Sequence, residues 1–364
     1  MAQIIHDILN PWSASKIPQL TGKVAVVTGG NEGIGAAWTT ELLKHDVAKV
    51  IILSNDEERH EGAMKHFSQE VGHDVSSKIV FHPMDLGDYA SVRKAVDQVK
   101  SETDRLDILN CNAAIGMYTT DVPPNTTDKT YALDRHFACN NVGHAILTQG
   151  LLPLLKSTAQ KTNDARIVIM ASNLHFSASS DVKFESIDEL NTSLGPTLQY
   201  NRTKLGNVLY AKKLARMLAA DGFKDKIFVN SIHPGVVKTA QQDGVLESYQ
   251  NIVQEKLGDG ILGQAASSAM AGANYAARVI LEKDSPAGAL SSLYAATAEE
   301  VKEKGLSGEY IVPNGTVQEA DKRAQDEGMQ DRLYNLIQEC IEKDYGNVKG
   351  ADHQDSTARG FATV

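Results

Sequence analysis

The chain has 364 residues and a mass of 39.4 kDa, with 42% hydrophobic and 23% charged residues. That is the composition of an ordinary globular protein, long enough to bury a large core without staples. Its 36 Lys and Arg stand against 46 Asp and Glu, a formal net charge of −10, and with no basic cluster it lacks a sequence-independent grip on a nucleic-acid backbone. Cys111, Cys139 and Cys340 form no CxxC pair, so neither a disulfide framework nor a zinc site is expected. No run approaches the roughly 18 apolar residues of a membrane span.

The N-terminal MAQIIHDILNPW has no basic n-region and a broken apolar run, so it is not read as a signal peptide, and a cytoplasmic location is expected. Ile4, Ile5, Ile8 and Leu9 share one face of a short helix that packs on the body or touches a membrane surface. From Gly22 onward, short β-branched runs alternate with stretches of helical period. Strands are predicted at Val24–Thr28, Val50–Leu53, Ile79–Phe81, Ile108–Leu109, Arg166–Met170 and Ile227–Ile232. They are nearly continuous apolar runs, as strands covered on both faces must be. Helices are predicted between them at Ile34–His45, Glu57–Glu70, Tyr89–Ser101, Thr130–Lys156 and Leu198–Ala220. The alternation predicts an α/β fold with a parallel sheet and right-handed crossovers. It lapses over Val236–Gly263, a candidate substrate lid. A helix at Ala265–Glu282, a last strand at Glu309–Val312 and a helix near Asp321–Asp344 follow, then a polar tail expected to be disordered. The expected organisation is an extension over 1–20, one domain over 21–345, and a tail over 346–364.

The strongest local signal is VAVVTGGNEGIG, residues 24–35. A buried strand runs into Gly29, Gly33 and Gly35, and a helix begins at once. Glycines let the backbone approach a pyrophosphate that rests on the helix N-terminus. Placed at the front of a βαβ unit, such a loop predicts a dinucleotide site. The second strand ends in Leu53-Ser54-Asn55-Asp56. Asp56 either lies just past the adenosine ribose or serves as an acid at a helix start. Glu32, Glu57 and Glu58 would repel a 2′-phosphate.

Tyr200 and Lys204 stand four residues apart at the start of a helix, which puts phenol and ammonium on one face. A neighbouring cation lowers a tyrosine pKa toward working pH and makes Tyr200 a usable general acid/base.

Together these features resemble the short-chain dehydrogenase/reductase family of the classical type. The residues that carry the likeness are Thr28–Gly35 (TGxxxGxG), Asp85 after strand three and the NNAG variant Cys111-Asn112-Ala113-Ala114. Ser172 on strand five, Tyr200 and Lys204 (YxxxK) and the Pro234-Gly235 turn complete it. The segments NNVGH, YNRTKLGNVLYAKKLA and GLSGEYIVP are similar to the retinol-dehydrogenase-like group, particularly its soluble fungal members. The resemblance implies a single-domain Rossmann fold, a doubly wound, mostly seven-stranded parallel sheet with helices on both faces.

It also implies roles. Tyr200 transfers the proton, Lys204 binds the nicotinamide ribose and depresses the Tyr200 pKa, and Ser172 hydrogen-bonds the substrate carbonyl. Asn140 holds a water that connects Lys204 to solvent. Cofactor contacts fall to Thr28, Gly29, Asn31, Glu32, Gly33, Ile34, Gly35, Ser54, Asn55, Asp85, Leu86, Asn112, Ala113, Pro234, Gly235, Val237 and Thr239, besides Tyr200 and Lys204. His175 either faces the substrate or packs and caps its loop. Ala114 stands where glycine is usual, and its methyl either crowds the cofactor floor or is absorbed by the loop. Ser54 and Asn55 leave NAD(H) and NADP(H) both open, with NADP(H) slightly favoured.

The implied function is carbonyl–alcohol interconversion on a medium-sized, partly apolar substrate. A redox-neutral epimerase or cyclase and a non-catalytic nucleotide sensor are the alternatives. The segment 180–196 lengthens the gap between Ser172 and Tyr200 and is expected to wall the pocket. A homodimer or homotetramer through helices 130–156 and 198–220 is a family expectation. No His spacing points to a metal, and Trp12 and Trp38 are read as packing residues.

Overall fold

The computed structural model describes residues 12–117, 133–235 and 285–343. The predicted N-terminal helix face, the lid over 236–263, the helix Ala265–Glu282 and the tail lie outside the described residues. So do Val237 and Thr239.

Eight strands form one sheet in the order β3-β2-β1-β4-β5-β6-β7-β8. They are β1 (Val24–Thr28), β2 (Lys49–Ser54), β3 (Ile79–Pro83), β4 (Ile108–Cys111), β5 (Ala165–Met170), β6 (Ile227–Ile232), β7 (Tyr310–Val312) and β8 (Thr316–Gln318). Seven run parallel, and β8 folds back antiparallel on β7 with Ile311 opposite Val317. This last strand corrects the expectation of seven. It is three residues long and exposed throughout, so no apolar alternation announced it. The order reverses between β1 and β4, and the crevice at that switch point is where a doubly wound sheet takes its ligand.

Alternating residues of the strands feed two cores on opposite faces. Val26, Ile51, Leu53 and Leu109 pack with Tyr89, Val92, Phe137, Leu205 and Leu336 on one side. Ala25, Val27, Ile52 and Val168 pack with Ile34, Trp38, Phe67 and Leu293 on the other. Trp12 joins this second core, edge-on to Tyr294 at 5.5 Å.

The helices are α1 (Gly33–Lys44), α2 (Glu57–Val71), α3 (Tyr89–Glu102), α4 (His144–Thr162), α5 (Ile187–Asn191), α6 (Pro196–Leu218), α7 (Ser285–Thr297), α8 (Glu299–Glu303) and α9 (Glu327–Glu342). Asp56, Asp88 and Asp326 cap α2, α3 and α9 by accepting first-turn N–H groups. The helix predicted over Thr130–Lys156 is described from Arg135, passes through a π-helical turn at Ala138–Gly143, and runs on to Thr162. Asn163, left-handed at φ 53°, ends it. Helix α7 was not predicted. Its small residues, SPAGALSSLYAAT, carry little helical periodicity because Ala289, Leu293, Ala295 and Ala296 are all buried.

Helix α9 covers the outer side of α6. Tyr334 stacks on Tyr210 at 6.4 Å, and Lys213 and Arg216 pair with Asp331 at 2.8 and 2.5 Å. Part of α6 is thus covered by the same chain. Among the described residues no helix is long and apolar enough to cross a membrane.

Candidate active site

The loop from β1 to α1 is shaped by glycines that nothing larger could replace. Gly29 and Gly33 have positive φ, 63° and 54°. A Cβ on Gly35 would stand 2.1 Å from the Gly29 carbonyl oxygen, so the first turn of α1 lies hard against the loop. The N-cap of α1, Glu32, makes no side-chain cap, and the first-turn N–H groups of a helix are an anion site when no side chain closes them. Ile34 is fully buried in the core, so only its main chain can serve a ligand.

Thr28 and Asn112 stitch the ends of β1 and β4 together. Thr28 Oγ1 accepts from the N–H groups of Asn112 and Ala113, both at 2.9 Å, and Asn112 Nδ2 donates to the Thr28 carbonyl at 3.0 Å. With both N–H groups donating to it, the Thr28 hydroxyl gives its own proton to His144 Nε2 at 2.9 Å. His144 is therefore neutral with its proton on Nδ1, facing the Asn140 carbonyl at 3.3 Å. Burial lowers its pKa to about 4.

Beside this floor a small cleft is lined by Gly29, Ser54, Asn55, Asp85, Leu86, Ala113, Ala114 and Ile115, among others. Asp85 Oδ1 accepts from the Gly87 amide at 2.8 Å and so stays at the cleft edge. Ala114 packs into the second core as well as lining the cleft; its methyl is absorbed. Asn31 Nδ2 donates to the Asp56 carbonyl at 2.9 Å, tying the glycine loop to the tip of β2. Asp56 caps α2, the second of the two roles left open for it. A residue the sequence did not single out closes the mouth: Arg59 pairs with both Glu32 and Asp56. Its spacing three residues after Asp56 on a helix was the available signal.

Tyr200, Lys204 and Asn207 lie along one face of α6, with Ser172 at the end of β5. Lys204 Nζ and Asn207 Nδ2 both donate to the Met170 carbonyl, at 3.1 and 2.9 Å. Lys204 Nζ lies 5.1 Å from the Tyr200 ring centroid. Asn207 was missed, although positions 200, 203, 204 and 207 are one helical stripe. Ser172 Oγ accepts from the Leu174 amide at 3.2 Å, which leaves its proton free to donate. Asn201 Nδ2 donates to the Ser177 carbonyl at 3.2 Å and holds the turn after Ser172 against α6. Pro234 and Gly235, the latter at φ 89°, begin the loop beyond β6.

Burial and hydrogen bonding define the surroundings of three of the predicted residues. The Tyr200 pKa is not depressed: burial pushes it up and pulls that of Lys204 down to about 7, because both charged forms have lost water. Asn140 Oδ1 accepts from the Ile115 N–H at 2.8 Å, and Nδ2 donates to the Ile115 carbonyl at 3.0 Å and Thr203 Oγ1 at 3.1 Å. These bonds clamp the cleft wall. His175, 0% exposed with both ring nitrogens on main-chain atoms, takes the second of the two roles left open for it. No group of three or more His, Cys, Asp or Glu is placed to hold a metal among the described residues.

Comparison with known proteins agrees with this geometry. Residues 23–183 match the family model described as short chain dehydrogenase. A Neurospora crassa protein named as the mitochondrial oxidoreductase bli-4 is 39% identical over 240 residues, 65% of this chain and 57% of its own length. The short chain dehydrogenase/reductase dpchH of Colletotrichum higginsianum is 30% identical over 91% of this chain and 77% of its own. A polyprenol dehydrogenase of Danio rerio is likewise 30% identical, over 91% of this chain and 90% of its own. A solved Mycobacterium paratuberculosis structure shares the fold, with TM-score 0.62 and 23% identity over 92% of this chain and 98% of its own.

Proposed function

The chain belongs to the short-chain dehydrogenase/reductase family, and from that premise we propose that it is an NADP(H)-using enzyme interconverting a carbonyl and an alcohol on a medium-sized, partly apolar substrate, with Tyr200 as general acid/base. The observation that carries this reading is the meeting of Tyr200, Lys204 and Asn207 from α6 with the Met170–Ser172 end of β5, beside a glycine cradle.

The main chain over Gly29–Gly35 would hold the pyrophosphate, Ser54 and Asn55 the adenosine ribose, Asp85 and Leu86 the adenine. Asn112, Ala113, Pro234 and Gly235 would border the nicotinamide end, with Val237 and Thr239 proposed for its carboxamide. A bound nicotinamide supplies or accepts hydride. Ser172 donates its free hydroxyl proton to the substrate oxygen and fixes its place. Tyr200, held neutral by burial, gives the phenol proton to that oxygen as it gains negative charge. Lys204, held by the Met170 carbonyl, offers its charge beside the Tyr200 ring when protonated.

Arg59 supports the preference for NADP(H). Its pairing with Glu32 and Asp56 offsets the charge that argued against a 2′-phosphate. Apolar recognition is supported by Phe176 and Leu198, which are 43% and 37% exposed. They lie four residues after Ser172 and two before Tyr200 in sequence, and apart from Val317 no other large hydrophobic among the described residues is so open. A relative named for a polyprenol agrees with such a surface.

The test is nicotinamide absorbance of the full chain with NADPH or NADH against apolar aldehydes and ketones, with product analysis. Net consumption of NADPH matched by alcohol is expected. Nucleotide binding with a product at unchanged oxidation level would replace this reading with the redox-neutral one, and no binding of either nucleotide would overturn it.

A further inference from the structure

The turn after Ser172 is gripped from the far end of the chain. His175 Nδ1 meets the Ser172 carbonyl at 2.6 Å, and the His175 amide reaches the same oxygen at 3.1 Å. On its other side, Nε2 takes the Asp321 main-chain N–H at 3.0 Å. An amide N–H can only donate, so Nε2 is the acceptor and the ring proton sits on Nδ1, pointing at Ser172. The partners thus select one neutral tautomer. The ring lies 4.0 Å from that of Phe176 and edge-on to Tyr310 at 4.7 Å.

Other bonds tighten the same contact. The Tyr310 hydroxyl donates to Asn173 Oδ1 at 2.9 Å. Arg323, ion-paired to Asp321 at 2.8 Å, donates to the carbonyls of Ser179 at 2.8 Å and Ala178 at 3.2 Å. The segment after β8 therefore closes over the turn as a clasp, 146 residues downstream in sequence.

We infer that His175 is a positioning residue: by holding the Ser172 carbonyl with its Nδ1 proton and anchoring to Asp321, it sets the direction in which Ser172 Oγ meets the substrate oxygen. Two donors on one carbonyl fix the Ser172 peptide plane, and the Leu174 amide on Oγ fixes the side chain. What remains free is the hydroxyl proton. A structural histidine could pack here without touching Ser172. This one spends its proton on that residue, and the C-terminal segment supplies the opposing bond. The inference rests on the dehydrogenase reading of the site.

A double-mutant cycle in the full-length protein tests it. His175→Phe keeps a ring in the slot and removes both hydrogen bonds. It is expected to lower kcat roughly tenfold in the native background and less than twofold in a Ser172→Ala background, with cofactor affinity unchanged, because its effect passes through Ser172. His175→Asn, which retains a short donor toward the Ser172 carbonyl, should recover most of the loss. An equal fold-loss in both backgrounds, or no loss in the native one, would overturn the inference. If His175→Phe does not fold, Arg323→Gln opens the clasp from outside the ring, and the same non-additivity with Ser172→Ala is expected. Failure of the underlying reading looks different: Ser172→Ala alone would then leave turnover unchanged.

Discussion

The Met170 carbonyl accepts from Lys204 and Asn207 together, and it stands two residues before Ser172. One main-chain oxygen thereby joins the end of β5 to the face of α6 that carries Tyr200. At the cofactor mouth, Arg59 is the residue whose removal is most telling. Arg59→Ala should raise KM for NADPH more than tenfold and KM for NADH less than threefold, read from initial rates at fixed carbonyl. Equal effects on both nucleotides would remove Arg59 from 2′-phosphate recognition. Helical spacing put Tyr200 and Lys204 on one face of a helix, which α6 carries, and Ser172 came from the family resemblance alone. The bonds of Asn140 and His175 to main-chain atoms of Ile115 and Asp321 were not legible in the sequence. Spacing says nothing about an amide group that arrives from a distant element.

Among the elements, the insertion between Ser172 and α6 is held by a buried charge pair. Arg202, wholly buried, donates to the carbonyls of Glu189 and Leu190 at 2.9 and 2.5 Å and faces Asp134 at 3.4 Å. Asp134 also accepts from Gln199 at 2.7 Å and caps the turn at Arg135–Phe137. Its carboxyl stays below the usual range: burial raises it, but His136, Arg202 and the Phe137 amide together outweigh that. Removing one partner strands the other charge, so Asp134→Ala should cost about 3–5 kcal/mol of unfolding free energy, measured by denaturant titration. A loss below about 1 kcal/mol, the scale of a surface pair, would contradict a buried-pair role. Five of the six predicted strands were legible because burial on both faces makes them continuous apolar runs, whereas β3 is only half-buried. Helix α5, five residues long, and helix α7, built of small buried residues, lack the one-sided stripe on which helix recognition depends.

For the whole molecule, the sheet with two cores sets where stability depends on pH. Buried His144 has its pKa lowered from 6.5 to about 4, so the folded state binds that proton less readily than the unfolded chain. Its contribution is therefore complete above about pH 6.5 and is lost as pH falls toward 4, a swing of about 3 kcal/mol. His144→Gln keeps an acceptor for the Thr28 hydroxyl without titrating. It should flatten the stability profile between pH 6.5 and 4.5 in denaturant melts, while an unchanged slope would place the acid sensitivity elsewhere. In the proposed mechanism one fold brings a cofactor cradle and a proton donor to the same strand ends, and Tyr200→Phe separates the two. With NADPH affinity measured by fluorescence quenching and turnover by nicotinamide absorbance, the variant should bind cofactor as the native chain does and lose at least 99% of its turnover, the loss of about 10²-fold or more that follows removal of a general acid. Retained turnover would contradict the assignment of Tyr200 as the proton donor.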